Sequence, residues 1–96
     1  MLMTVVEGQV AQEQWATLRE VFAQSQVERP AALRAGFLVQ DSANPTNWRI
    51  IGIWMSREAF QAYRQSVETP GALAMFRLAG SEPTVSLSDI ADHFSV

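Results

Sequence analysis

The stretch Trp48–Phe60, WRIIGIWMSREAF, decides how the rest of the chain must be arranged. Its first eight residues have the two-residue period of a β-strand and are apolar on both faces. Trp48, Ile50, Gly52 and Trp54 point one way; Ile51, Ile53 and Met55 point the other, and Arg49 is the only polar member. Ser56 then has the character of an N-cap, opening a helix on which Ala59, Phe60, Tyr63 and Val67 share a face. A strand buried on both sides needs two covers. A chain this short supplies one layer of helices, so the second cover must come from elsewhere.

The 96 residues make one domain, 1–96, near the lower end of what a single core stabilises alone. Hydrophobic residues make up 48% and charged residues 18%, which places the chain among globular rather than disordered sequences. So little charge on so small a body points to surface hidden in an oligomer. The net charge is −3 and the pI about 4.9. All seven basic residues are arginines, scattered with no stripe, so a nucleic-acid partner is not expected.

Cysteine is absent, which excludes disulfides, thiolate metal sites and thiol chemistry. The opening MLMTVVEGQV has no basic start and carries Glu7 early, unlike a secretory signal. The longest apolar run, Ile50–Met55, is far too short to span a membrane. A soluble cytoplasmic protein with no membrane partner is the simplest expectation.

In chain order, Leu2–Val6 reads as a first strand ending near Gly8. From Gln9 to about Glu28 the spacing is helical, with Ala11, Trp15, Leu18, Phe22 and Ser25 on one face, and Arg29-Pro30 stops it. Ala35–Val39 reads as a second strand, with Phe37 and Val39 on one face and Leu38 on the other. The turn formers of 41–47 join it to the Trp48 strand as a hairpin. The Ser56 helix runs to roughly Glu68; Thr69-Pro70-Gly71 breaks it, and Ala72–Ala79 forms a further helix stopped by Gly80. Thr84–Leu87 alternates like a strand, while 88–94 is open to strand or helix. The order β-α-β-β-α-(α)-β predicts an α+β, ferredoxin-like antiparallel four-stranded sheet with helices on one face.

These elements, and IWMSREAF in particular, resemble the antibiotic biosynthesis monooxygenase family of dimeric α+β barrels. The shared pattern is a strand ending in Trp, x, small polar residue that runs into a helix opening Glu-Ala-Phe. Here those positions are Trp54, Ser56, Glu58, Ala59 and Phe60. Val6-Glu7-Gly8, Gly36-Phe37-Leu38 and the closing strand extend the likeness over nearly the whole chain. The resemblance implies a homodimer with two sheets packed face to face and a pocket in each subunit between sheet and helices. Some members oxidise phenolic or quinol-like aromatics with O₂ and no bound cofactor; others degrade haem. In quinol-oxidising members an asparagine lies four residues before the motif tryptophan; here that position is Ile50.

Six residues are candidates for the site. Trp54 can stack on, or donate its indole N–H to, a planar substrate, although filling a core is its plainer reading. Tyr63 and Arg77 lie on helices beside the expected pocket, where they can hydrogen-bond or neutralise an oxyanion. Phe37 and Ile50 are further candidates for its lining. His93, the only histidine, is a proton acceptor if Asp89 or Asp92 orients it, and otherwise a solvated residue near the C-terminus. One histidine and two aspartates make a poor metal site, so neither metal nor cofactor is expected.

Leaving the Ile51/Ile53 side in water would cost on the order of 10 kcal/mol at about 25 cal/mol per Å² over several hundred Å². That is comparable with the whole stability of a domain. A two-fold homodimer removes the exposure, with an expected interface above ~1,600 Å². Two functions fit the sequence. One is a cofactor-free monooxygenase, hence an oxidoreductase, acting on a small aromatic ligand; the other is a non-catalytic dimeric ligand-binding or interaction domain of the same fold.

Overall fold

The Trp48 strand takes an interior place in the sheet, hydrogen-bonded to a neighbour on each side. A computed structural model describes residues 1–96. The chain runs β1 (Leu2–Gln9), a 3-10 turn (Gln12–Gln14), α1 (Trp15–Ser25), β2 (Leu33–Gln40), β3 (Asn47–Trp54), α2 (Arg57–Ser66), α3 (Gly71–Leu78) and β4 (Thr84–Asp89). All strand pairs are antiparallel, in the order β2-β3-β1-β4. This is the ferredoxin-like α+β arrangement that the residue pattern predicts.

Register decides what each face carries. Leu2, Thr4 and Val6 of β1 stand opposite Trp54, Gly52 and Ile50 of β3, and Leu38 of β2 stands opposite Ile50 from the other side. Directly paired residues share a face. These side chains lie beneath the helices, and Leu2, Thr4, Val6, Trp48, Ile50 and Trp54 are all buried. On the opposite face Val5 pairs with Ile51, and Ile51 with Phe37. There Ile51 and Ile53 are half-buried, while Phe37 and Met55 are half-exposed at 52% and 48%. The tryptophan face is thus the covered one and the isoleucine face is open.

The helices differ from expectation mainly at their ends. β1 continues to Gln9, which pairs with Asn47, and the Val10 N–H donates to the Thr46 carbonyl at 2.8 Å. The helix predicted from Gln9 therefore starts only with the 3-10 turn, and Ala11 is exposed. Ser56 caps α2 by accepting the Ala59 N–H at 3.0 Å. That helix stops at Ser66 because Val67 is extended, at φ −123°. α3 closes with Gly80 at φ +75°, the Gly80 N–H reaching Arg77 and the Ser81 N–H reaching Phe76. That double bond pattern demands a left-handed residue, which glycine supplies without a Cβ clash. At the C-terminus β4 ends at Asp89, and 90–96 forms neither the strand nor the helix left open by the sequence.

Two buried clusters hold the layers together. Val6, Val10, Leu18, Trp48, Ile50, Phe76 and Ala79 pack one end of the sheet against α1 and α3. Leu2, Trp54 and Phe60 pack the other end against α2.

Candidate functional site

Between these two clusters the helices do not close on the sheet, and a cavity of about 630 Å³ remains. Thr4, Val6, Ile50, Gly52 and Trp54 form its floor. The C-terminal end of α1 from Phe22, the first residues of β2, Phe60 and Tyr63 of α2, and the start of α3 form its walls. The volume is that of an ordinary small-molecule site, and most of the lining is apolar.

Trp54 anchors one end. Its indole lies 5.0 Å from the Phe60 ring, edge on at 66°, and 5.0 Å from the Tyr63 ring, tilted by 35°. Its Nε1–H donates to Thr4 Oγ1 at 3.1 Å, and that hydroxyl faces the Gly52 carbonyl at 3.5 Å. The indole N–H is therefore committed within the protein, and Trp54 presents ring surface to the cavity rather than a free donor. Gly52 makes room for this: a Cβ there would lie 2.8 Å from Thr4 Oγ1 and 3.0 Å from Trp54 Nε1.

Tyr63 supplies the hydroxyl that Trp54 does not. Its oxygen accepts the Gly71 N–H at 3.0 Å, at the start of α3, and no protein acceptor takes its own O–H. Accepting one hydrogen bond fixes the phenol and polarises it as a donor. Ile50 lies between Val6 and Leu38 on the floor, contributing hydrocarbon.

The other three candidates lie away from the cavity. Phe37 pairs with Ile51 and so occupies the open face, the strand's parity having put it opposite the inward Leu38. Arg77 turns outward to Glu82, with bonds of 2.9 and 3.2 Å; that hydrogen bonding raises the arginine above its ordinary pKa and lowers the glutamate. His93 is on the exposed tail beyond β4, where Asp92 accepts its backbone N–H. Asp89, expected as a possible orienter, pairs instead with Arg57 at 3.0 Å. Near-neighbour strand geometry would have been needed to bring Asp89 to the imidazole, and the strand has ended.

Sequence reasoning passed over Thr4, Gly71, Arg29 and Arg64, all of which line the cavity. Thr4 carried a signal: it is the polar member of the inward series Leu2, Thr4, Val6. No group of three or more His, Cys, Asp or Glu side chains comes together to hold a metal, and no helix is long and apolar enough to cross a membrane.

The antibiotic biosynthesis monooxygenase family profile matches residues 1–77. The chain belongs to that family. Among solved structures, a candidate antibiotic biosynthesis monooxygenase from Deinococcus radiodurans superposes with a TM-score of 0.72 at 14% identity, covering 100% of this chain and 98% of that one. An asparagine-to-alanine variant of SnoaB, a cofactor-independent oxygenase from Streptomyces nogalater, gives 0.71 at 19% identity, covering 96% and 94%. Rv0793 from Mycobacterium tuberculosis gives 0.70 at 14% identity, covering 98% of each chain. At these identities the likeness shows the fold. No curated protein matches the chain.

Proposed function

We propose that the cavity beneath Trp54 binds a small aromatic, quinol- or phenol-like molecule, and that the chain oxidises it with O₂ as a cofactor-independent monooxygenase. The observation that carries this reading is an apolar cavity of 630 Å³ with an aromatic end wall and an uncommitted phenol donor. Family membership supplies the reaction type, and SnoaB is an oxygenase of this kind by name.

The substrate itself supplies the electrons. For an anthrone-type methylene, two hydrogens leave, one oxygen atom of O₂ becomes the new carbonyl, and the other departs as water. The protein's part is to hold the ring against Trp54, exclude water, and stabilise the anion formed on deprotonation through the Tyr63 O–H. Glu28 is the one carboxylate on the lining and, at the exposed mouth, is the residue to accept the proton.

The open face completes the proposed assembly. Val5, Ile51, Ile53, Phe37 and Met55 form an open apolar surface, and a second copy of the chain is its proposed cover.

A second reading rests on two specific features. Ile50 offers no hydrogen bond, and the Trp54 N–H is already held by Thr4; both suit a domain that binds its ligand without transforming it. Oxygen uptake over a panel of anthrones and quinols separates the two. The enzyme reading expects uptake above the spontaneous rate, diminished in Trp54→Phe and Tyr63→Phe and unchanged in His93→Ala. No uptake with any member of the panel leaves the binding domain.

A further inference from the structure

We infer that the occupant of this cavity is an organic acid: a ring-containing apolar body whose anionic group lies at the mouth, held between Arg29 and Arg64. This rests on the reading of the cavity as a ligand site, and adds its charge. Five of the seven arginines are already engaged. Arg49 meets Glu7 and Asp41, Arg57 meets Asp89, and Arg77 meets Glu82. Arg19 lies 5.6 Å over the Trp48 ring, and Arg34 reaches the Met55 sulfur at 3.2 Å. Arg29 and Arg64 alone have no carboxylate, hydrogen-bond acceptor or ring as partner. These same two are the only cations lining the cavity.

They reach it from independent elements. Arg29 follows the end of α1 and is set by Pro30, which lines the cavity beside it; Arg64 follows Tyr63 on α2. Both are exposed, so the positive charge stands at the rim, while the interior is mostly apolar, holds no cation and has the Tyr63 hydroxyl as its uncommitted donor. An ionised group cannot enter that interior unpaired. An amphiphilic acid therefore has one orientation, rings against Trp54 and anion outward. Guanidinium forks suit a carboxylate bidentately. Glu28 at the same rim opposes this and leaves a net single positive charge there.

The test uses two dyes of nearly the same body. 8-Anilinonaphthalene-1-sulfonate carries an anion, and N-phenyl-1-naphthylamine is its neutral counterpart. Each is titrated by fluorescence into the intact protein, the Arg29→Gln/Arg64→Gln double variant, Glu28→Gln, and Ala72→Phe, which fills the cavity from α3. Both arginines are surface residues, so the double variant keeps its fold. The expected result is that the double variant weakens the anionic dye about tenfold, the sum of two exposed ion pairs. The neutral dye is unaffected, Glu28→Gln strengthens the anionic dye, and 1 M salt erases the difference. If the double variant leaves both dyes unchanged, or weakens both equally, the charge inference is overturned while the cavity reading stands. If neither dye binds, or Ala72→Phe does not reduce binding, the cavity reading falls and this inference with it.

Discussion

Thr4→Val is the sharpest perturbation that the cavity floor offers. The substitution is nearly isosteric, so packing is kept; what is lost is the acceptor of the Trp54 N–H, together with the long 3.5 Å hydrogen bond from Thr4 to the Gly52 carbonyl. Both partners are buried, Thr4 at 7% and Trp54 at 6% exposure, and they meet at 3.1 Å. Stranding a buried donor costs about 1–3 kcal/mol. For a domain of this size each kcal/mol moves Tm by roughly 4–8 °C, so a fall on the order of 10 °C is expected. Trp54→Phe removes the donor instead, leaving Thr4 free to bond Gly52 more closely. The Thr4→Val/Trp54→Phe double variant strands nothing, and the cycle should return a coupling of about 1 kcal/mol. The assay is urea unfolding followed by far-UV circular dichroism at one fixed protein concentration, since dimerisation would couple to stability. Thr4→Val within about 0.5 kcal/mol of the parent, or additivity within about 0.5 kcal/mol, would refute the reasoning.

Other consequences are as direct. Ile51→Asp puts a charge at the centre of the open face, and sedimentation should show the parent at twice 10.7 kDa and the variant as a lone chain. Trp48 is 2% exposed, its Nε1–H has no partner, and it meets Trp15 edge on at 5.8 Å. Deleting that N–H relieves a penalty, so Trp48→Phe should destabilise less than Trp54→Phe in the same unfolding series. The Asn47 side chain donates to Glu7 at 2.7 Å and, with Arg49, lowers the Glu7 pKa below its ordinary 4.5. A depressed carboxylate stabilises the fold above its unfolded pKa and loses that contribution as pH falls through the folded value. Asn47→Ala should therefore shrink the loss of stability seen below pH 4.5 in acid titrations, and an unchanged acid limb would contradict it.

What could be read in the sequence was local or periodic. The two apolar faces of Trp48–Met55, the Ser56 cap and the break before α3 each depend on neighbours within a few residues; the cap is where the pattern puts it, while the break starts earlier, at Val67, and Gly71 already opens α3. Which of the two faces the helices cover is not set by the strand's own pattern; the structure puts Trp48, Ile50 and Trp54 on the covered side. What could not be read depends on register and on distant partners. β1 outlasts its apolar run because Gln9 pairs with Asn47. Phe37 belongs to the open face because it stands beside Ile51. The Trp54–Thr4 bond joins residues fifty apart, and Arg29 and Arg64 come to line one cavity that no spacing announces. His93 attracted notice as the lone histidine, yet the strand that would have oriented it ends four residues earlier.

The three indole N–H groups provide the most direct test of whether ligand enters at Trp54. Trp54 lines the cavity, whereas Trp15 donates to the Val10 carbonyl at 2.9 Å and Trp48 is sealed in the neighbouring cluster. In nitrogen–proton correlation spectra, titration with anthraquinone-2-sulfonate should move the Trp54 indole signal saturably, with Gly52 and Gly71, and leave Trp15 and Trp48 in place. Movement confined to Ile51, Ile53 and Phe37 on the open face, or none at Trp54, would contradict the account.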